Sequence, residues 1–386
     1  MTECLRRFNW IGFGAMLALI ALGTAFIWSA GNARAELVFH GAWKANLATA
    51  AFALGIYFAL AFTDYRKVLD WLAAPAYLAS LVLLVAVLAV GVERFGGRRW
   101  LWFFQPSEVS KLCVIAFLAQ LFGDGYARFG SPFRAFLAGA AVIGVPTLLI
   151  LAEPDLGTAL TLVPATLLML FVARTWRAGM VTLVTVAAVA TLTLLGAVYE
   201  AEKPGVSAER REAILRWVPL KDHQLRRVRV FLFPERDRLG DGYNLRQAMI
   251  SIGSGGFSGK GIGKGESNHL KYLPQAISMN DFIFCVYAEE TGFIGSSVLL
   301  ILFGALLVPG VWTAYVSTDG RGRLLALGIS TLVFAHVYVN IAMSLGLVPI
   351  TGLPLPFMSS GKTFLVTVIA GLGLIQSVSI HREEET

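Results

Sequence analysis

Charge is what this 386-residue chain has least of: Asp, Glu, Lys and Arg together make up 15% of it, against 56% hydrophobic residues. A water-soluble domain needs more charge than that to cover its surface. Cysteine is scarce as well. Cys4, Cys113 and Cys285 form no CxxC pair and five histidines are scattered, which leaves no zinc signature and no disulfide framework. The period-two alternation of a membrane β-barrel is missing too. What the chain does have is long apolar runs and a mean hydropathy of +0.67. A run of about 20 apolar residues crosses ~30 Å of hydrocarbon as a helix. Backbone groups in lipid must be satisfied internally, so helices are the expected element. An all-α, polytopic integral membrane protein is expected, as one membrane domain over residues 1–386.

Ten spans are expected, at about 9–30, 43–62, 69–91, 106–122, 133–151, 156–173, 178–199, 281–316, 322–346 and 357–380. The eighth is long enough to expect a kink or tilt near Pro309. With the N-terminus inside, Arg6, Arg7, Arg66, Lys67, Arg128, Arg134, Arg174, Arg177, Arg321, Arg323 and Arg382 flank inner span ends. The short outer loops carry Arg34, Lys44, Arg94, Arg98 and Arg99. That asymmetry predicts both termini in the cytoplasm and one large loop, residues 200–280, outside. Arg6, Arg7 and the later Ala33-Arg34-Ala35 resemble a secretory start and cleavage site. The apolar stretch between them is too long for a signal core, so it is read as a retained helix.

The large loop holds 14 Lys/Arg and nine Asp/Glu. A surplus of that kind suits a solvated loop, attraction to phospholipid headgroups, or a surface for an anionic lipid-linked substrate. It does not suit nucleic acid, because no stacking platform accompanies it. Residues 253–265 are glycine-rich and resemble a phosphate loop, but Ser258 stands at the first-glycine position and Gly265 replaces the Ser or Thr. Lys260 and Lys264 remain candidates to meet a diphosphate. Amphipathic pieces around 209–218 and 243–252 are expected to lie on the membrane surface.

Polar residues near or within the spans are the sharper signal. Asp281 lies where a polar loop meets a long apolar helix, a costly place for a carboxylate and therefore a functional candidate. Glu108 and Lys111 share one face of the fourth span and can pair, which alone would serve packing as well as chemistry. Asp155, after Glu153, is placed to cap the sixth helix. His336 and Asn340 read as an interhelical hydrogen-bond pair. Glu289 and Glu290 lie about 12 Å further along the helix than Asp281, too far to cooperate unless the helix bends.

Together these motifs are specific. The chain resembles the SEDS family (shape, elongation, division and sporulation proteins), the RodA branch more than the FtsW branch, over nearly its whole length. The resemblance is carried by Thr63-Asp64-Tyr65-Arg66, by Gln105-Pro106-Ser107-Glu108 with Lys111, and by Pro154-Asp155-Leu156-Gly157-Thr158. Further on it is carried by Leu220-Lys221-Asp222-His223-Gln224 with Arg227, by Gly242-Tyr243-Asn244 and by Ile252-Gly253-Ser254-Gly255-Gly256. Asp281-Phe282-Ile283-Phe284, Glu289-Glu290, Val339-Asn340 and Thr351-Gly352-Leu353-Pro354-Leu355-Pro356-Phe357 complete it.

The resemblance implies a peptidoglycan glycosyltransferase of the bacterial cytoplasmic membrane that polymerises lipid II during cell elongation. It implies a class B penicillin-binding protein transpeptidase and other elongation-complex membrane proteins as partners. The family's essential aspartate maps onto Asp281, as general base for a sugar hydroxyl. Its Glu and Lys map onto Glu108 and Lys111, with Lys111 expected to hold Asp281 ionised or to stabilise the leaving diphosphate. Gln105, Arg227, Lys260, Lys264 and Lys362 are the further expected substrate contacts, and a Mg or Mn ion is a candidate cofactor. Three departures stand out: Pro274 is seven residues before Asp281 and Asn280 replaces a Thr, the Arg99–Gln105 stretch is short, and Lys362 stands where a Gly is usual. Two other classes fit the same features, a lipid II flippase and a non-catalytic scaffold for the transpeptidase.

Overall fold

The structure, a computed structural model, describes residues 6–32, 41–94, 97–102, 104–153, 155–218, 220, 222–237, 240–266 and 278–382. Cys4, the Ala33-Arg34-Ala35 run, Pro154, Lys221 and Pro274 lie outside them. Helices occupy all ten expected span positions. They are α1 (Trp10–Asn32), α2 (Ala42–Phe62), α3 (Tyr65–Val90), α4 (Pro106–Phe122), α5 (Pro132–Ala152), α6 (Leu156–Val172) and α7 (Arg177–Ala201). Between α3 and α4 a short antiparallel pair, β1 (Val92–Arg94) and β2 (Gly97–Trp100), turns the chain back. The large loop adds α8 (Ala208–Leu215), α9 (Asp222–Leu232) and α10 (Asp241–Ser254). The chain ends with α11 (Ile283–Val316), α12 (Gly320–Ser344) and α13 (Lys362–His381).

Eight of the ten, all but α4 and α6, are long and apolar enough by themselves to cross a bilayer. Those two have 17 residues each. Polar side chains fix several boundaries. Asp64, Asp155 and Asp319 accept from the first free backbone N–H groups of α3, α6 and α12, which satisfies donors a helix start leaves open. Pro106 and Pro132 open α4 and α5, where a missing N–H costs nothing.

The core is built on the last three helices. α13 packs along α2, α11 along α1 and α12, and α12 along α4 and α6. Apolar burial cannot drive helices together inside lipid, so close approach and interhelical hydrogen bonds must do it. Gly373 shows the approach: a Cβ there would lie 2.8 Å from the Tyr57 carbonyl oxygen of α2. Tyr57 Oη donates to Gln376 Oε1 at 3.3 Å, and the Tyr65 N–H to Ser377 Oγ at 2.9 Å.

The break in α11 falls at Gly292, not at Pro309. Gly292 has φ 67° and ψ −161°, and a Cβ there would meet the Gly259 nitrogen at 2.3 Å. The glycine-rich stretch lies across this break. The Lys260 and Gly261 N–H groups donate to the Glu289 and Glu290 carbonyls at 3.0 and 2.9 Å. In return, the Phe293 and Ile294 N–H groups donate to the Gly256 and Phe257 carbonyls. A helix interrupted near the bilayer leaves backbone groups open, and these glycines splint them.

Contacts sort the loops onto two ends of the bundle. One end joins Arg7 to the Arg382 carbonyl, Tyr65 and Arg66 to Asp319, and Arg321 to Asp70. At the other, Gln105 meets Thr363, Arg99 meets Asp155, Arg227 meets the Thr351 carbonyl and Asn340 meets the Asp281 carbonyl. The amphipathic pieces do not both lie free. α10 buries Leu245 and Ala248 against Phe282 and Cys285 at the head of α11, so it is a packing helix. α8 has no buried residue.

Candidate active site

Asp281 sits in the turn just before α11, and the structure grips the backbone of this turn from two sides. Asn340 of α12 donates its amide to the Asp281 carbonyl at 2.9 Å and to the Leu353 carbonyl at 2.6 Å. Ser359 Oγ donates to the Asn280 carbonyl at 2.6 Å, and the Ser360 N–H to the Met279 carbonyl at 3.3 Å. The residue as a whole stays partly exposed, with its carboxyl set into the protein. Gly352, at φ 75°, leaves the approach open: a Cβ there would stand 3.6 Å from Asp281 Oδ2.

Burial pushes the Asp281 carboxyl up to about 6, while the guanidiniums of Arg227 and Arg99 hold it down. A carboxylate so tuned is mostly ionised at neutral pH yet a better proton acceptor than an ordinary aspartate. Each arginine is anchored. Arg227, on α9, donates to the Thr351 carbonyl at 3.3 Å. Arg99, on β2, donates to the Glu153 carbonyl at 3.4 Å and lies 3.9 Å from Asp155 Oδ1. Asp155 also caps α6, accepting from the Thr158 N–H at 3.1 Å and its hydroxyl at 2.8 Å, as its position predicts. Gln105 joins the same group, donating to Asp155 Oδ2 at 3.3 Å. Glu153 is fully buried beside them, and neither carboxyl oxygen has a hydrogen-bond partner among the described residues. Burial, and then the Asp155 charge, lift its carboxyl to about 8, so it carries a proton at neutral pH.

Lys111, expected to support Asp281 or the leaving diphosphate, is held by other residues. Its ammonium lies 2.8 Å from Glu108 Oε2 and 2.7 Å from His336 Nε2, over the Phe364 ring. Lys111, Glu108 and His336 are 1%, 2% and 0% exposed, so no substrate reaches them in this arrangement. The cations whose charge acts on Asp281 are Arg227 and Arg99. His336 bonds across helices to Lys111 of α4, whereas Asn340 bonds to carbonyls of the two loops at Asp281 and Leu353 rather than to another helix. Lys260 is also committed elsewhere, 2.9 Å from Glu289 Oε1 and 3.3 Å from Glu266 Oε2. Glu289 and Glu290 further accept the N–H groups of Glu266 and Gly263. The glycine-rich loop thus wraps the chain's own carboxylates rather than a phosphate. Lys264 and Lys362 are exposed, Lys362 opening α13 beside the Thr363 that meets Gln105.

Among the described residues, no group of three or more His, Cys, Asp or Glu side chains is arranged to hold a metal ion. The donors near Asp281 are interleaved with two arginines, a poor fit to a resident cation. Sequence reasoning missed Arg99 as a site residue and used it only as a loop cation. Its place in Arg98-Arg99-Trp100, six residues before Gln105, was the available signal.

The model of the FtsW/RodA/SpoVE cell cycle proteins matches residues 10–384. The chain belongs to this family. The peptidoglycan glycosyltransferase MrdB of Escherichia coli K12 is 34% identical over 375 residues, covering 95% of this chain and 92% of the relative. Stage V sporulation protein E of Bacillus subtilis is 30% identical over 371 residues, covering 94% of each. A chain from a peptidoglycan synthase complex, solved for its coordination of polymerization and crosslinking, superposes with a TM-score of 0.72. It is 30% identical and covers 96% of this chain and 97% of that one. The rod shape determining protein RodA of Thermus thermophilus superposes with a TM-score of 0.64 at 27% identity, covering 98% of each chain.

Proposed function

We propose that this chain polymerises lipid II, with Asp281 as general base, at the outer face of a bacterial cytoplasmic membrane. It is a peptidoglycan glycosyltransferase of the RodA type, by its family and by relatives that carry that name. The observation that carries the site is one carboxylate at a partly exposed residue, raised toward neutrality by burial and acted on by the charges of two anchored guanidiniums.

In the reaction, the 4-hydroxyl of an incoming sugar attacks the anomeric carbon of a glycan held on undecaprenyl diphosphate. The new C–O bond forms as the bond from that carbon to the diphosphate oxygen breaks, and the hydroxyl proton passes to Asp281. Arg99 and Arg227 face the place where the diphosphate gains charge, and Lys362 and Lys264 add positive potential at the rim. A divalent ion would enter with the diphosphate, held by one or two carboxylates, rather than reside in the protein. The isoprenoid tails stay in the bilayer, so no deep soluble pocket is required.

The excess of Lys and Arg in the termini and short loops at the end opposite Asp281, the large loop set aside, supports an orientation with both termini in the cytoplasm. A relative in a complex that couples polymerization to crosslinking supports a class B penicillin-binding protein as partner. The test incubates purified protein, alone and with its transpeptidase, with labelled lipid II. Polymer that is lost in Asp281→Asn but kept in a folded surface variant supports the enzyme. Transfer of lipid II across vesicles without polymer would favour a flippase, and a changed transpeptidase rate with neither activity would favour a scaffold.

A further inference from the structure

The two arginines at Asp281 hang on different supports. Arg99 is held by the Glu153 carbonyl and Asp155, both part of the bundle. Arg227 rides on α9, which has two working faces. One presents Arg227 to the Thr351 carbonyl. The other packs Leu225, Val228 and Leu232 in a small apolar cluster with Val198 of α7.

Glu202, the residue after α7, lies beside this cluster and is 8% exposed. Its Oε1 accepts from Arg211 Nη2 at 2.7 Å and lies 2.8 Å from Arg229 Nε, while Oε2 accepts from Arg236 Nη1 at 3.2 Å. One carboxylate thereby gathers cations from α8, from α9 and from the 3-10 turn Pro234–Arg236. Removing its charge would leave three guanidiniums crowded together and repelling. α7 has little else to hold it, since almost none of its apolar stretch is buried against the rest of the protein.

We infer that Glu202 is a positioning residue: by clamping α9 to the outer end of α7 it sets where Arg227 stands relative to Asp281. The seating of α7 in the bilayer is then read out at the reacting carboxylate, by way of one helix. The inference rests on Asp281 being the base. Asp281 is faced by Arg227 from α9 and Arg99 from β2, and Arg227 in turn by Asp241 of α10 and Asp155 at the start of α6. Of the two cations, only Arg227 depends on the clamp. When it withdraws, the ionised form of Asp281 loses one of its two supports, and the acid limb of the rate profile moves to higher pH.

The experiment measures lipid II polymerisation by the full-length protein with its transpeptidase across a pH series. Glu202→Gln should lower kcat at neutral pH by roughly tenfold or more, the scale of a displaced catalytic neighbour. It should leave KM nearly unchanged and move the acid midpoint upward. Arg229→Gln should reproduce both effects, and Glu202→Asp should recover part of the rate. Arg211→Gln, which frees α8 alone, should leave the midpoint in place. Thermal unfolding and elution in detergent identify variants that are not folded, and Arg229→Gln and Glu202→Asp carry the test where Glu202→Gln is one of them. An unmoved midpoint in folded Glu202→Gln and Arg229→Gln overturns the inference, as does an equal shift in Arg211→Gln. Failure of the underlying reading has a separate signature, polymer made by Asp281→Asn.

Discussion

Two charged clusters lie near each other in this fold and have opposite characters. In one, Lys111, Glu108 and His336 are sealed from solvent and spend their charges on one another. In the other, Asp281 is partly exposed and feels the charge of Arg99 and Arg227, each of which is anchored to a backbone carbonyl. Both contain the acid and base groups a catalyst needs. The difference teaches that accessibility, not the presence of paired ions, separates a reaction centre from a structural brace.

Exchanging the roles experimentally would break this contrast. The largest expected effect is on rate: Asp281→Asn should cost 10²-fold or more, roughly the contribution of a general base, with no change in thermal unfolding. Next, Lys111→Ala leaves Glu108 buried without its cation and should cost about 3–5 kcal/mol of stability in a thermal melt. Glu108→Met with Lys111→Met should return much of that stability. If this double variant folds well and polymerises normally, the brace reading is sharpened; if it folds but is inactive, Lys111 belongs to the chemistry.

A subtler effect is on pH. The unprotonated carboxylate is the active form, so the rate should fall as pH drops through about 6, the value set by burial against the two arginines. Arg227→Ala removes one opposing charge and should move that limb up by about one unit. The smallest effect is expected from Lys362→Gly, roughly two- to threefold in KM, the scale of a screened surface charge.

The helix positions were legible because apolar length reports directly on bilayer thickness. The expected 178–199 and 43–62 became Arg177–Ala201 and Ala42–Phe62. Which helix is central was not legible from hydropathy. α13 and α7 are about equally apolar, yet α13 is mostly buried within the protein and α7 almost wholly uncovered. Lipid and protein interior look alike to an apolar side chain. The distinction lies in the polar residues: Gln376 and Ser377 bond to other helices, whereas Thr182 and Thr191 of α7 bond back to their own carbonyls.

Long-range pairing was the other hidden quantity. Lys111 and Glu108 announce themselves by spacing, but the third partner, His336, is 225 residues away. Arg99 and Asp281 are likewise far apart in the chain. The break at Gly292 was masked by the more conspicuous Pro309. Its sign was the glycine-rich stretch, whose resemblance to a phosphate loop was accidental: the same freed N–H groups were needed for a broken helix.

That splinted break also settles an accounting of length. Beyond Gly292, α11 is by itself about 36 Å long, more than the ~30 Å of hydrocarbon it must cross. The two and a half turns ahead of it, Ile283–Thr291, are therefore surplus to the crossing and serve as a rigid pedestal. A catalytic group mounted on such a pedestal can work among sugars and phosphates while the greasy anchors of donor and acceptor never leave the oil beneath.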